Sequence, residues 1–371
     1  MKTIFSDRKF GLDFLRAAAA AMVVLAHGMM YAAASYPQLI LPAVVLATLG
    51  VEVFFVLSGF LIAPGLFAVA EGKSTAVRFW LRRAWRTLPN YYIFLLINVA
   101  LSTWIVYGRP PQLSYAIFSQ SLVTPSTTTF FAESWSLAVE EWFYLGAAAA
   151  AALSFRISGE RAVLFRWLLW GMVICLPVAR AAWSVMHGYE WDSGLRKLTL
   201  LRLDAIAVGV LAAALARSPL SRVFAVRCAI CGVALVGAAS ISVASVVRAN
   251  EFLAPLASFS IALTGAFTLT LFGVGAALVL PFAARIQRPQ SLPIFSTLVS
   301  RVALWSYTLY LCHFPLLLLF DEFFPGFRQR QPGSLALGMS LWLILVVLFA
   351  SAFYAEIESR ILAWRDRILP S

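Results

Sequence analysis

Charge is what this chain has least of. Asp, Glu, Lys and Arg make up 12% of its 371 residues, about half the share of roughly 25% found in soluble domains. With 61% hydrophobic residues and a mean hydropathy of +0.85, this excludes a soluble globular protein. Strand-length alternation of apolar and polar residues is missing too, which excludes an outer-membrane barrel. No internal repeat, low-complexity tract or Pro/Gly/Ser linker divides the sequence, so one domain over residues 1–371 is expected. No cleavable signal peptide is expected, because the first apolar run is too long and has no small-residue cleavage site; the run is expected to stay as the first span. The four cysteines, Cys175, Cys228, Cys231 and Cys312, lie in or beside apolar segments, where cysteines are more often small core residues than disulfide partners. Cys228 and Cys231 form a CxxC with no second pair of ligands nearby, and no metal is expected.

What the chain has instead is apolar runs of roughly 20 residues along its whole length, the signature of membrane-spanning helices. The fold class is all-α, a polytopic bundle of about ten transmembrane helices with no soluble domain. The spans fall near 11–33, 43–67, 88–107, 136–154, 164–186, 199–216, 226–246, 255–281, 301–320 and 335–358. Those at 164–186 and 199–216 are the weakest, each carrying arginine near one end. With the N-terminus in the cytoplasm, 20 Lys and Arg lie on the inner side, 8 on the outer side and Arg16 within the membrane. That bias places both termini inside. The net charge of +12 is then a topology signal and a surface for anionic lipid, and nucleic-acid binding need not be invoked.

Ionisable groups inside a span are costly unless partnered or functional, so Arg16 and His27 stand out. Eleven residues make nearly three helical turns, which puts both on one face about 16 Å apart along the axis. His27 suits a general base toward the outer half of the span; the alternative is a packed histidine satisfied by a backbone carbonyl or water. Arg16 could pair with Asp13 at i−3 or steer an anionic donor. Arg83 and Arg86 are neighbours on one face if the basic loop at 79–92 continues as helix to Pro89, and paired guanidiniums suit phosphate oxygens. Ser58 and Ser136 have no GxSxG elbow around them, so neither is read as a covalent nucleophile. A transporter would need broken helices and related halves, and no such repeat is found; a non-catalytic assembly component is the other rival.

Several segments, taken in order, resemble the acyltransferase family 3 of membrane proteins: GLDFLRAAAAAMVVLAH with Asp13, Arg16 and His27; GVEVFFVLSGFLI at 50–62; FWLRRAWRTLPNYY at 79–92; ESWSLAVEEWFYL at 133–145; LRLDAIAVGVLAA at 201–213; SYTLYLCHFPL at 306–316; and YAEIESRIL at 354–362. The resemblance implies an O-acyltransferase of the bacterial inner membrane that moves an acyl group, often acetyl, from cytoplasmic acyl-CoA to a hydroxyl of a cell-surface polysaccharide or lipid-linked sugar. A lipophilic acceptor such as a macrolide is the alternative. It implies His27 as catalytic base, Arg16 and Glu140 as catalytic partners, and Arg83, Arg86 and Arg16 as the donor-binding set. Glu140 is the first choice for orienting His27 and Glu52 the reserve, with pairing to Arg202 as the structural alternative. Trp135, Glu52, Glu141, Arg202 and Asp204 are the candidates for contact with the acceptor, and His313 is read as structural or pocket-lining. Many relatives carry an esterase-like domain after the bundle; this sequence stops at Ser371, so a second transfer step outside is expected to fall to another glycan-assembly protein.

Overall fold

The computed structural model describes residues 9–102, 112–124, 130–159, 162–187, 191–217, 220–252, 258–324 and 332–369. The expected loop around Pro110 and Pro111 lies largely outside these residues, as do Lys2, Arg8, Arg109, Arg161, Arg328 and Arg330. Among the described residues there are eleven α-helices and no strand: α1 Phe10–Ala32, α2 Ile40–Ala70, α3 Ala76–Leu101, α4 Ser134–Ser158, α5 Val163–His187, α6 Leu203–Ala216, α7 Arg222–Phe252, α8 Ser258–Ala283, α9 Pro293–Phe323, α10 Pro332–Phe353 and α11 Ser359–Ile368. Eight helical segments are long and apolar enough to cross a membrane, which makes this a multi-pass all-α membrane protein. They include α5 and the helix ending in α6, the two spans that looked weakest.

The two long helices that fall short on apolarity are α3 and α4. They are as long as the others, at 26 and 25 residues, but they carry Arg78, Arg82, Arg83 and Arg86, and Glu140 and Glu141. Such helices are stable in a bundle when the charged side faces an interior cavity rather than lipid. Helix α3 also begins twelve residues before the span expected at 88–107, because the basic segment is itself helical. The Thr75 hydroxyl caps its start by accepting from the Arg78 amide at 3.2 Å, and the helix runs through Pro89. At the other end of the hairpin, α4 stops at Gly159 with φ +60°, the left-handed conformation glycine adopts without strain.

Helix α2 packs against α1, α4, α6 and α8, and α9 packs against α1 and α10. Helices α2 and α6 approach each other closely. A Cβ on Gly59 would stand 2.0 Å from the Ile206 carbonyl oxygen, and one on Gly209 would stand 2.0 Å from that of Val56. In a membrane, where lipid is as apolar as leucine, close backbone packing through small residues is what holds helices together. Two further ties fix α1 on α9: Tyr31 donates to Asp321 at 2.6 Å, and His27 meets His313. Trp167, Ile174, Ile230 and Ile241 on α5 and α7 are exposed, as a lipid-facing rim requires.

Gly59→Ala therefore forces two backbones apart and should destabilise the protein by about 3 kcal/mol, the upper part of the overpacking range. Gly146→Ala is the control, because nothing lies within 4 Å of its Cβ and alanine is favoured over glycine in a helix. Thermal denaturation of the two variants in detergent should separate them clearly; equal melting temperatures would contradict the close-packed seam.

Candidate functional site

Two joined cavities occupy the interior. The wider, about 1660 Å³ out to its open mouth, is a vestibule lined by Arg16, Lys73, Arg78, Arg82, Arg83, Arg86 and Arg365, with no carboxylate among its lining side chains. The narrower, about 750 Å³, is a slot with walls from α1, α2, α3, α4 and α9. Arg16, Leu61, Arg83 and Arg86 line both, so the three cations stand where one opens into the other. The structure thus brings Arg16 together with Arg83 and Arg86. The chain elements explain the arrangement: α1, α3 and α9 present their N-terminal halves here, and the C-terminal helix α11 lies across the rim. There the Trp85 and Trp364 rings meet edge to face at 4.5 Å, and Arg82 bonds the Leu369 carbonyl.

The slot becomes hydroxyl-rich with depth. Glu140 accepts from the Tyr144 hydroxyl at 2.7 Å, and that hydroxyl in turn accepts from Ser58 at 2.5 Å. The Arg83 guanidinium lies over the Tyr144 ring, 5.8 Å from its centre. Beside them, Thr87 donates to Glu141 at 2.6 Å. The far wall is Tyr310, bonded to Ser136 at 2.6 Å and to the Glu133 carbonyl at 3.0 Å. Glu140 is therefore in the slot with Arg83, whereas the ring of His27 is held elsewhere.

His27 lies beyond that wall and lines neither cavity. Helix α1 is unbroken from Arg16 to His27, which preserves the shared face and the axial separation of about 16 Å. His27 Nδ1 is 2.9 Å from the Val23 carbonyl oxygen and 3.2 Å from His313 Nε2. The His313 ring centre is 5.9 Å from that of Tyr310, so one layer of rings separates the slot from His27. On its other side stand Asp192, Arg196 and Lys197, from the turn between α5 and α6, whose charges act on the His27 ring. Burial alone would push the Asp192 carboxyl up, but the neighbouring Arg196 and Lys197 outweigh it and hold the group well below the usual carboxylate range. Arg196 lies over Trp135, 5.1 Å from the ring centre, and Trp135 packs edge-on against Phe55 at 5.9 Å.

The remaining polar residues serve one another. Glu52 is bonded to Arg202, and both are fully buried. Asp204 accepts from Arg180 through both carboxylate oxygens, at 3.2 and 3.1 Å, and from Thr270 at 2.8 Å. Arg180 and Arg202, two of the eight basic residues that the charge pattern counts as outer, are therefore interior residues, and their partners explain how they are tolerated there. None of Glu52, Glu141, Trp135, Arg202 and Asp204 lines the slot or the vestibule.

Sequence reasoning missed Tyr144, Tyr310 and Glu358. Tyr144 was accessible as the i+4 neighbour of Glu140. Glu358 was not: it is carried inward by a π-helical turn at Tyr354–Glu358, a feature frequent at functional sites. It accepts from Thr308 at 2.6 Å, with Arg86 the strongest opposite charge acting on it.

The chain matches the model of a family described as an acyltransferase domain, acyltransferase family 3, over residues 9–356. No curated protein and no solved structure matches it.

Because Glu52 and Arg202 neutralise each other in the bundle, Glu52→Leu should destabilise by about 3–5 kcal/mol, the cost of leaving one buried charge unpaired. Glu52→Leu combined with Arg202→Leu should recover most of that loss. Chemical denaturation of the single and double variants measures both; a double variant no better than the single would show that the pair is not self-contained.

Proposed function

With membership of acyltransferase family 3 as the premise, we propose that this membrane acyltransferase takes an acyl group, acetyl in the simplest case, from cytoplasmic acyl-CoA. The recipient is a hydroxyl of a cell-surface polysaccharide or lipid-linked sugar. The observation that carries the reading is the run of cations shared by the vestibule and the slot. A coenzyme-A thioester is a polyanionic head on a long, uncharged arm. Seven cations line the vestibule, of which Lys73, Arg82 and Arg365 are in ion pairs with Glu71 or Asp366; beyond the shared Arg16, Arg83 and Arg86, the slot is walled mainly by aliphatic, aromatic and hydroxyl side chains with Glu140. Arg83 and Arg86 take the phosphates through charge-assisted hydrogen bonds, Arg16 holds the point where head gives way to arm, and the thioester travels toward His27.

The reaction then needs a base at the far end. His27 removes the proton of the acceptor hydroxyl as the oxygen attacks the thioester carbonyl. The slot ends on Tyr310, so the Tyr310 ring turns aside when the acyl end arrives, and the acceptor comes from the opposite face. The excess of Lys and Arg on the vestibule side supports a cytoplasmic vestibule and N-terminus in the bacterial inner membrane, with anionic lipid around the basic rim and glycan-assembly proteins as partners on the outer side.

Coenzyme A should bind the purified protein. Arg83→Ala with Arg86→Ala should weaken it by about 100-fold, as expected for the loss of hydrogen bonds to charged groups. His27→Ala should leave that binding within about twofold and abolish acyl transfer. Calorimetry with coenzyme A and an acetyl-CoA consumption assay check these outcomes. Absence of binding at millimolar coenzyme A, or full transfer by His27→Ala, would be incompatible with the reading.

A further inference from the structure

His313 is fully buried on α9, with its ring against His27 of α1, the two centres 4.9 Å apart. Each ring is tied to its own helix in the same way. His27 Nδ1 faces the Val23 carbonyl at 2.9 Å, and His313 Nδ1 faces the Leu309 carbonyl at 3.1 Å. A carbonyl oxygen only accepts, so in both neutral rings the hydrogen resides on Nδ1 and Nε2 keeps its lone pair. The 3.2 Å contact between His313 Nε2 and His27 Nδ1 then has one sense: His27 donates and His313 accepts. The single Nδ1 hydrogen of His27 is shared between Val23 and His313. The Trp342 indole donates to the His313 backbone carbonyl at 3.3 Å, which ties α10 to this part of α9.

We infer that His313 is the positioning residue of the acyl-transfer centre, holding His27 in the tautomer whose Nε2 is free to act as base. The inference rests on the reading of His27 as that base. The acceptor O–H proton passes to His27 Nε2 as the O–C bond forms. The tetrahedral carbon then collapses, the C–S bond breaks, and the proton on Nε2 leaves with the thiolate as a free thiol. His27 ends neutral, and its Nδ1 hydrogen never leaves Val23 and His313. Orienting partners of this kind are usually carboxylates or backbone carbonyls. A neutral imidazole does the same work here without burying a further ion in low-dielectric surroundings. Glu140, occupied with Tyr144 in the slot, is then free for the donor side.

The chain has three histidines, so protein labelled with ¹⁵N-histidine in lipid bilayers gives three assignable rings, and His187→Gln removes one. Nitrogen shifts should show His27 and His313 protonated at Nδ1, with a coupling from His27 Nδ1–H to His313 Nε2. A His27 ring protonated at Nε2, or no coupling between the rings, overturns the inference even if every variant misfolds. In turnover of acetyl-CoA with methyl glucoside as probe acceptor, His313→Phe, which removes the acceptor nitrogen, should lower kcat by about 10–100-fold, by analogy with the partners that orient metal-bound histidines through the second ring nitrogen. The KM for acetyl-CoA should be unchanged. His313→Gln, whose amide oxygen stands near the position of Nε2, should restore most of kcat. Turnover lost in His27→Ala but complete in His313→Phe sinks this inference alone; turnover retained in His27→Ala sinks the base and leaves the tautomer result standing.

Discussion

The expense of an ion in hydrocarbon governs this structure. Several of the described interior charges either meet an opposite partner or face the vestibule. Glu52 with Arg202 and Asp204 with Arg180 take the first course. Arg16, Arg83 and Arg86 take the second. The consequence is a division of the interior into a part around α2, α5, α6 and α8 whose ions pair within the bundle and a cation-rich part around α1, α3, α9 and α11.

That division explains why helices of very different composition coexist. The strongly apolar α2 and α8 build the frame. The polar α3 and α4 fail a simple hydropathy criterion because they serve the cavity, with Arg83, Thr87, Glu140 and Tyr144 converging between them and the neighbouring helices. The same residues that weaken these helices as membrane segments are the ones that make them useful. The close seam between α2 and α6 through Gly59 and Gly209 gives the frame the stiffness to hold such helices in register.

The sequence carried much of this. Hydropathy located eight of the ten expected spans among the described residues, the other two, at 88–107 and 136–154, falling on the polar α3 and α4, and the eleven-residue interval between Arg16 and His27 set their common face, because both depend only on local periodicity. The Arg83 and Arg86 pair was legible for the same reason. Partners distant in the chain were not: Glu52 and Arg202 are 150 residues apart, and His27 and His313 are 286 apart, distances over which no local pattern signals contact. Glu358 was hidden because its inward direction depends on a π-helical turn, which shifts the face a side chain presents and leaves the hydrophobic spacing almost unaltered. Nor could composition say that a tyrosine wall would stand between the slot and His27, since that depends on how α4 and α9 meet.

Anchoring both imidazoles to the backbone of their own helices has a mechanical corollary. Neither ring can be reoriented by its own rotation without giving up a main-chain bond, but the pair can be uncoupled by sliding α1 along α9. A slip of one helical turn, about 5.4 Å, would part them entirely, and the tie between Tyr31 and Asp321 nearby opposes such a slip. Bilayers of different thickness favour different helix tilts, and a change of tilt between α1 and α9 would load the contact between the two rings and the tie between Tyr31 and Asp321 together.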